Sequence, residues 1–119
     1  MNKTILVVDN DAKARSTCQL ELESEGYKVL TATNGMEALD YVSRDTFDVI
    51  VLEPEGLTLD YLSEFLKVDC RLKLVINSDH PEFKMDFHTW LADAFLIKSS
   101  DLTDLKSTVF NLVYEKSLN

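Results

Sequence analysis

Basic residues are scarce in this sequence. It has 12 Lys and Arg residues against 21 Asp and Glu residues, which gives a formal net charge of −9. Non-specific binding to nucleic acid or to an anionic membrane needs a basic surface, so this balance argues against both. Long hydrophobic runs are also missing, because no apolar stretch approaches the roughly 20 residues of a membrane span. We therefore expect no nucleic-acid partner and no membrane partner.

Cysteine is scarce as well. Only Cys18 and Cys70 are present, and they lie far apart without the spacing of metal ligands. This usage predicts two free thiols in the reducing cytoplasm rather than a disulfide or a metal site. A chain of 119 residues is long enough for one sizeable core. We expect a cytoplasmic protein with a single domain over residues 1–119.

Apolar runs of strand length recur along the chain. Three are nearly continuous, as expected for strands buried on both faces of a parallel sheet: Ile5–Val8, Val49–Leu52 and Leu74–Ile76. Two shorter runs are candidates for edge or near-edge strands: Lys28–Ala32 and Ala94–Ile97.

Amphipathic segments lie between these runs. The first carries apolar residues four positions apart on one face, namely Ala14, Cys18 and Leu22. Gly26 follows it, where a left-handed residue costs least. Thr58 is placed to cap a third helix, and Ser100 or Asp101 the last one. Strand and helix thus alternate five times, which predicts an α/β fold with a doubly wound five-stranded parallel sheet and helices on both faces, a flavodoxin-like (βα)5 topology.

Chemically distinctive residues follow four of the predicted strands. They are an acidic cluster, a carboxylate, a hydroxyl and an amine: Asp9, Asn10 and Asp11, then Glu53, Ser78 and Lys98. Because parallel packing gathers the carboxyl ends of the strands at one edge of the sheet, we expect these side chains to lie together there.

The segments ILVVDND, FDVIVLE, LVINS and DAFLIK carry these residues in order. With them the chain resembles the CheY-like receiver domain of two-component response regulators over essentially its whole length. The resemblance implies that Asp9 and Asn10 match the acidic pair that binds Mg²⁺, and that Glu53 matches the aspartate that accepts the phosphoryl group. It also implies that Ser78 and Lys98 match the two residues that contact that group.

Phe95 matches the aromatic switch position of the same family. The family surface used for dimerisation or output suggests candidate interface residues in the neighbouring segments: Phe83, Phe87 and Trp90, and less strongly Phe110 and Tyr114. The alternative for the first three is that they fill the core. The resemblance implies a protein partner, either a sensor kinase or a downstream effector, and leaves a homodimer open.

Three departures from the family pattern concern the chemistry. Asn10 is neutral where Mg²⁺ prefers an anionic oxygen ligand, and Glu53 is one methylene longer than aspartate. Ser99 stands where the family has proline after the lysine, so we expect a trans peptide bond or a reshaped loop there. Since Glu53 can reach toward Lys98, we predict a phosphorylation-independent receiver that is not an enzyme and needs no cofactor. Mg²⁺ would bind only if a weak site persists at Asp9, Asn10 and Glu53.

Two other functions stay open. One is a conventional Mg²⁺-dependent phosphoacceptor receiver. The other is a flavodoxin-like cofactor-binding domain, which needs a phosphate loop rich in glycine or hydroxyls where this chain has Asp9, Asn10 and Asp11. The site residues also have structural interpretations: helix capping for Asp9, Asp11 and Ser78, an ion pair with Lys98 for Glu53, and core packing for Phe95.

Overall fold

The computed structural model describes residues 3–54, 58–82 and 91–114. Its five strands are β1 (Thr4–Val8), β2 (Lys28–Ala32), β3 (Val49–Leu52), β4 (Lys73–Ser78) and β5 (Ala94–Ile97). All pairings are parallel, and the strand order is β2-β1-β3-β4-β5. The predicted doubly wound sheet is therefore confirmed, with β2 and β5 at its edges.

Four α-helices lie within the described residues: α1 (Ala12–Ser24), α2 (Gly35–Arg44), α3 (Leu62–Val68) and α4 (Thr103–Tyr114). Successive strand residues point to opposite faces of the sheet, so each strand supplies two separate cores. One core packs against α2 and α3 and includes Leu6, Val8, Ile50, Leu52, Val42 and Phe65. The other packs against α1 and α4 and includes Ile5, Val7, Val51, Cys18, Leu22 and Val109. None of the helices in the described segments is long and apolar enough to cross a bilayer.

The end of α1 agrees with the sequence, whereas the starts of α3 and α4 differ from it. Asp101 Oδ1 accepts from the Thr103 N–H at 2.9 Å, but α4 begins at Thr103, so Leu102 and not Ser100 or Asp101 directly precedes it. Gly26 has a φ of +98° just after α1, as its position predicted. Thr58, in contrast, does not cap α3. It begins a 3₁₀ turn that runs to Tyr61, and α3 starts at Leu62 without a side-chain cap. The prediction for Thr58 was wrong because the 3₁₀ turn lies between Thr58 and the first residue of α3.

Gly35 is expected to tolerate alanine only when Tyr61 is removed. A Cβ at position 35 would lie 2.9 Å from Cε2 and Cγ of the Tyr61 ring, so Gly35→Ala should destabilise the protein by about 1–3 kcal/mol through overpacking. In a Tyr61→Ala background the same change should stabilise α2 by about 0.5–1 kcal/mol, since alanine is the better helix former. Urea unfolding of the four proteins measures this coupling, and equal effects in both backgrounds would contradict it.

Candidate functional site

Four predicted site residues meet at the carboxyl edge of the sheet. Backbone hydrogen bonds extend the strand pairing past the strands themselves, from Glu53 N–H to the Val8 carbonyl at 2.9 Å and from Lys98 N–H to the Ser78 carbonyl at 2.8 Å. Asp9 and Glu53 are each 5% exposed, and Ser78 is fully buried. We call Asp9, Glu53, Ser78 and Lys98 the acceptor pocket.

Asp9 forms the ion pair of this pocket. Its Oδ2 lies 2.8 Å from Lys98 Nζ, and the two side chains are only 6% and 16% exposed. Its other oxygen, Oδ1, accepts a hydrogen bond from the backbone N–H of Asp11 at 2.9 Å. The Arg15 guanidinium donates to the backbone carbonyl of Asp9 at 2.7 Å. Both carboxylate oxygens of Asp9 are thus engaged, which a buried charge requires.

The charge of Lys98 is held by its surroundings. Partial burial alone would lower the pKa of its amine, because desolvation disfavours the charged form. The hydrogen bond and charge of Asp9, together with the charges of Glu53 and Asp79, outweigh that effect and raise the pKa. Lys98 therefore remains a cation throughout the physiological pH range.

Glu53 lies against the hydroxyl of the pocket. Ser78 Oγ donates to Glu53 Oε1 at 3.5 Å and accepts from the backbone N–H of His80 at 3.0 Å. The predicted ion pair of Glu53 with Lys98 is replaced by the Asp9–Lys98 pair. Glu53 acts on Lys98 through its charge. The physical reason is that buried Asp9 needs a cation, and the Lys98 side chain extends from the end of β5 to supply it.

The donor set does not fit Mg²⁺ in this arrangement. Asn10 and Asp11 are exposed, and Asp11 caps α1 by accepting from the Lys13 N–H at 3.2 Å. Asp9 is already engaged by Lys98, so Glu53 is the one further anionic ligand of the predicted weak site. In the described part of the chain no group of three or more His, Cys, Asp or Glu residues is placed to hold a metal ion. Mg²⁺ requires several hard oxygen ligands in octahedral geometry, and these residues do not supply them.

The other predicted residues lie outside this pocket. Phe95 is partly buried and packs against the core on the α2 and α3 face. The Lys98–Ser99 peptide bond is trans, as predicted. Phe110 and Tyr114 are 56% and 49% exposed, with ring centroids 4.8 Å apart. The other candidate interface residues fall outside the described residues: Phe83, Phe87 and Trp90.

The exposed aromatic pair lies on the side of α4 that faces α1. Lys106, one turn before Phe110, forms an ion pair with Glu21 of α1 at 3.6 Å. Residues four apart share one face of a helix, so Lys106, Phe110 and Tyr114 form one stripe. This stripe adjoins the first helix.

Sequence reasoning missed one buried polar residue of this edge. Asn77 is 6% exposed at the end of β4, next to Ser78 but on the opposite face of the sheet. The sequence signal for Asn77 was a single amide in the otherwise apolar run LVIN. Alternate strand residues share a face of the sheet, so Asn77 lies on the same face as Val75, which is part of the core.

Comparison with protein families and curated proteins gives consistent relatives. The family described as the response regulator receiver domain matches residues 5–110. Sporulation initiation phosphotransferase F of Bacillus subtilis is 28% identical over 88 residues, which are 71% of each chain. PhoP of the same species, the alkaline phosphatase synthesis transcriptional regulatory protein, is 45% identical over 53 residues, 44% of this chain. The chain spans 22% of the length of PhoP, and 19% of a Haloferax volcanii protein to which it is 33% identical over 118 residues.

Solved structures show the same relationship. The response regulator protein TrrA of Thermotoga maritima, in complex with Mg(2+)-BeF, superposes with a TM-score of 0.87 at 32% sequence identity. The match covers 92% of this chain and 98% of TrrA. TrrA in complex with the histidine kinase ThkA superposes with a TM-score of 0.85, covering 93% of this chain and 98% of TrrA.

Proposed function

This chain belongs to the response regulator receiver domain family, and on that premise we propose that it is a receiver whose pocket works without phosphorylation at position 53. In this proposal residues 1–119 form one receiver-like domain of a two-component system in the cytoplasm. The domain passes on a signal by contact with another protein and does not turn over a substrate. Any enzymatic activity would be residual transfer of a phosphoryl group to its own side chain.

The observation that carries this proposal is the pairing of charges inside the acceptor pocket. Lys98 is held 2.8 Å from Asp9, and the Ser78 hydroxyl is directed at Glu53. The family resemblance assigns to Ser78 and Lys98 the contacts with a phosphoryl group. Here a carboxylate already lies against that hydroxyl. Glu53 thus keeps a carboxyl group beside Ser78, where phosphorylation would place a negative group for a limited time.

The electrostatics of the pocket support the same interpretation. Two close buried carboxylates repel each other by roughly 4 kcal/mol at an effective dielectric constant near 20. Lys98 offsets this repulsion because it pairs with Asp9 and its pKa responds to Glu53 as well. The neutral Asn10 adds no further negative charge. The pocket therefore tolerates its carboxylates without a divalent cation.

The proposed partners are proteins. TrrA was solved in complex with the histidine kinase ThkA, and by analogy we propose a sensor kinase or a downstream effector as the partner of this chain. A second copy of the chain is a further candidate. The net charge of −9 favours a partner with a basic surface and disfavours nucleic acid.

A conventional Mg²⁺-dependent receiver is the second candidate function. It is favoured by the 32% identity to TrrA, which was solved with Mg(2+)-BeF, and by the presence of Ser78 and Lys98 in the pocket. It is disfavoured by the geometry needed for in-line transfer, because a displacement of about 1 Å can lower the rate by about a hundredfold. The extra methylene of Glu53 is a displacement of that size.

Intact-mass measurement separates the two functions. We expect that incubation with Mg²⁺ and a small acyl phosphate donor leaves the mass of the protein unchanged, while a conventional receiver treated in parallel gains one phosphoryl group. Calorimetric titration with Mg²⁺ in the same buffer should give a dissociation constant weaker than about 1 mM. A stoichiometric gain of one phosphoryl group on this chain would establish the conventional function instead.

A further inference from the structure

A cleft of about 440 Å³ lies beside the acceptor pocket, on the side of the sheet covered by α1 and α4, and it shares Lys98 with that pocket. The first turns of α1 form one wall, and the segment between β5 and α4 forms the other. Asn77 lines the cleft from the end of β4. Sites for small molecules have volumes of about 300–1,000 Å³ and combine apolar walls with a few fixed polar groups.

Asn77 is the polar group that points to a ligand. Its side chain is 94% buried, by its relative exposure of 6%, yet its amide forms no hydrogen bond with any residue in the described segments. Buried polar side chains normally form hydrogen bonds, so an amide without one in the wall of a cleft is available to a ligand. Val75, two residues earlier on the same face, packs in the apolar core against α1 and α4. An apolar residue at position 77 would continue that core, so the amide serves no packing purpose.

The charges around the cleft favour a neutral ligand. Two acidic residues and two basic residues line it, namely Asp11 and Asp79 with Lys13 and Lys98. Lys98 is already paired with Asp9. An anion would meet the two carboxylates, and a cation would meet the two amines. Neither sign of charge is therefore favoured.

The walls favour a ligand with an apolar body. Ala14, Cys18 and Leu102 supply carbon and sulfur surface. The pKa of the Cys18 thiol is raised, chiefly by burial and then by the charge of Asp9, against a lowering effect of Lys98. The thiol is therefore protonated at neutral pH and behaves as a small hydrophobic group.

From these observations we propose that the cleft binds a small neutral ring compound whose edge carries an adjacent N–H and C=O, as in a lactam. The carboxamide of Asn77 offers one acceptor and one donor side by side, which matches such an edge with two hydrogen bonds. Asparagine recognises the edge of adenine by the same kind of two-point pairing. The ring lies against Cys18 and Leu102, and the rim of charged residues stays in water.

The test uses 2-pyridone, a neutral lactam, titrated into the ¹⁵N-labelled full chain. We expect saturable shifts of the Asn77 side-chain amide resonances with a dissociation constant on the order of 1 mM, as is usual for a ligand of this size. N-methyl-2-pyridone lacks the donor and should bind at least about tenfold more weakly. This comparison uses the unmodified protein, so it does not depend on the folding of a variant.

Two variants complete the test. Asn77→Leu should weaken binding of 2-pyridone by about tenfold or more, because the paired amide is removed and the volume is kept. Asn111→Leu makes the same chemical change at an exposed position of α4 and should leave binding unchanged. Shifts that rise linearly without saturation, equal binding of both pyridones, or unaltered binding by Asn77→Leu would each overturn the proposal. Tighter binding of the anion benzoate or the cation benzylammonium than of neutral 2-pyridone would also overturn the proposal. The titration involves no phosphorylation, so its failure would leave the proposed receiver function intact.

Discussion

Replacing Lys98 with methionine is expected to lower the free energy of unfolding by about 3 kcal/mol at neutral pH. The variant keeps an unbranched side chain of nearly the same length but leaves Asp9, which is 5% exposed, without its cation. Loss of one partner from a buried ion pair is among the most destabilising single changes, because the remaining charge stays desolvated. Urea unfolding monitored by circular dichroism measures the effect.

The control for this prediction is a double-mutant cycle with Asp9→Asn. In the Asp9→Asn background, removal of the Lys98 amine no longer leaves position 9 with an unpaired buried charge, so Lys98→Met should cost less there than in the wild type. We expect a coupling energy of at least about 1 kcal/mol between the two positions. Additive effects would show that the 2.8 Å contact contributes no net stability. Lys67→Met is a matched control, since Lys67 is exposed and its ion pair with Glu64 lies on the surface.

The same pair gives a pH dependence with a definite sign. The pKa of Lys98 is raised above its ordinary value of 10.5 in the folded protein. The folded state therefore binds this proton more tightly than the unfolded state does. The resulting stability is fully present below pH 10.5 and is lost as the pH rises through the higher folded pKa. Wild-type protein should thus lose stability in that alkaline range more steeply than Lys98→Met, and equal slopes would contradict the assignment.

The combined substitution Asn10→Asp and Glu53→Asp is expected to install Mg²⁺-dependent phosphorylation at least about a hundredfold faster than in the wild type. The shorter side chain at position 53 removes one methylene and opens space in front of Ser78. The new carboxylate at position 10 adds the anionic ligand that Mg²⁺ needs, at an exposed position where a metal can enter. The rate of incorporation from a small acyl phosphate, measured by intact mass, checks this result.

The single variants separate the two contributions. Asn10→Asp alone should bind Mg²⁺ more tightly without becoming phosphorylated, whereas Glu53→Asp alone should be phosphorylated slowly and only at high Mg²⁺ concentration. Adding Ser78→Ala to the double variant should reduce its rate, because the hydroxyl that meets position 53 is lost. If the double variant stays unphosphorylated, residues other than Asn10 and Glu53 prevent phosphorylation of this chain. If the wild type reacts as fast as the double variant, Glu53 is not the obstacle.

The strands could be predicted from the sequence because their burial follows from composition alone. Val49–Leu52 is apolar at every position and is buried at every position. Lys28–Ala32 and Ala94–Ile97 form the two edges of the sheet in the described residues, which confirms the prediction that they are edge or near-edge strands. Strand ends that converge in a parallel sheet also place Asp9, Glu53 and Ser78 together without any knowledge of side-chain contacts.

The pairing inside the pocket could not be predicted in the same way. Whether Lys98 meets Asp9 or Glu53 depends on differences of a few ångströms between side chains that the sequence places at the same edge. The start of α3 was missed for a similar reason, since a 3₁₀ turn and an α-helix have nearly the same apolar spacing over four residues. Asn77 was missed because a single polar residue in an apolar run forms no repeating pattern that would mark it as functional.

The Asp9–Lys98 contact also constrains the order in which the chain can complete its fold. Asp9 directly follows β1, and its cation follows β5, so the other four strands are synthesised between the two partners. β1 can pair with β2 early, but it gains its second neighbour only when β3 has been made. Contacts this distant in sequence form late, because the intervening loop must be closed first. A nascent chain therefore carries Asp9 without its cation until β5 has been added, and the acceptor pocket can close only after that step.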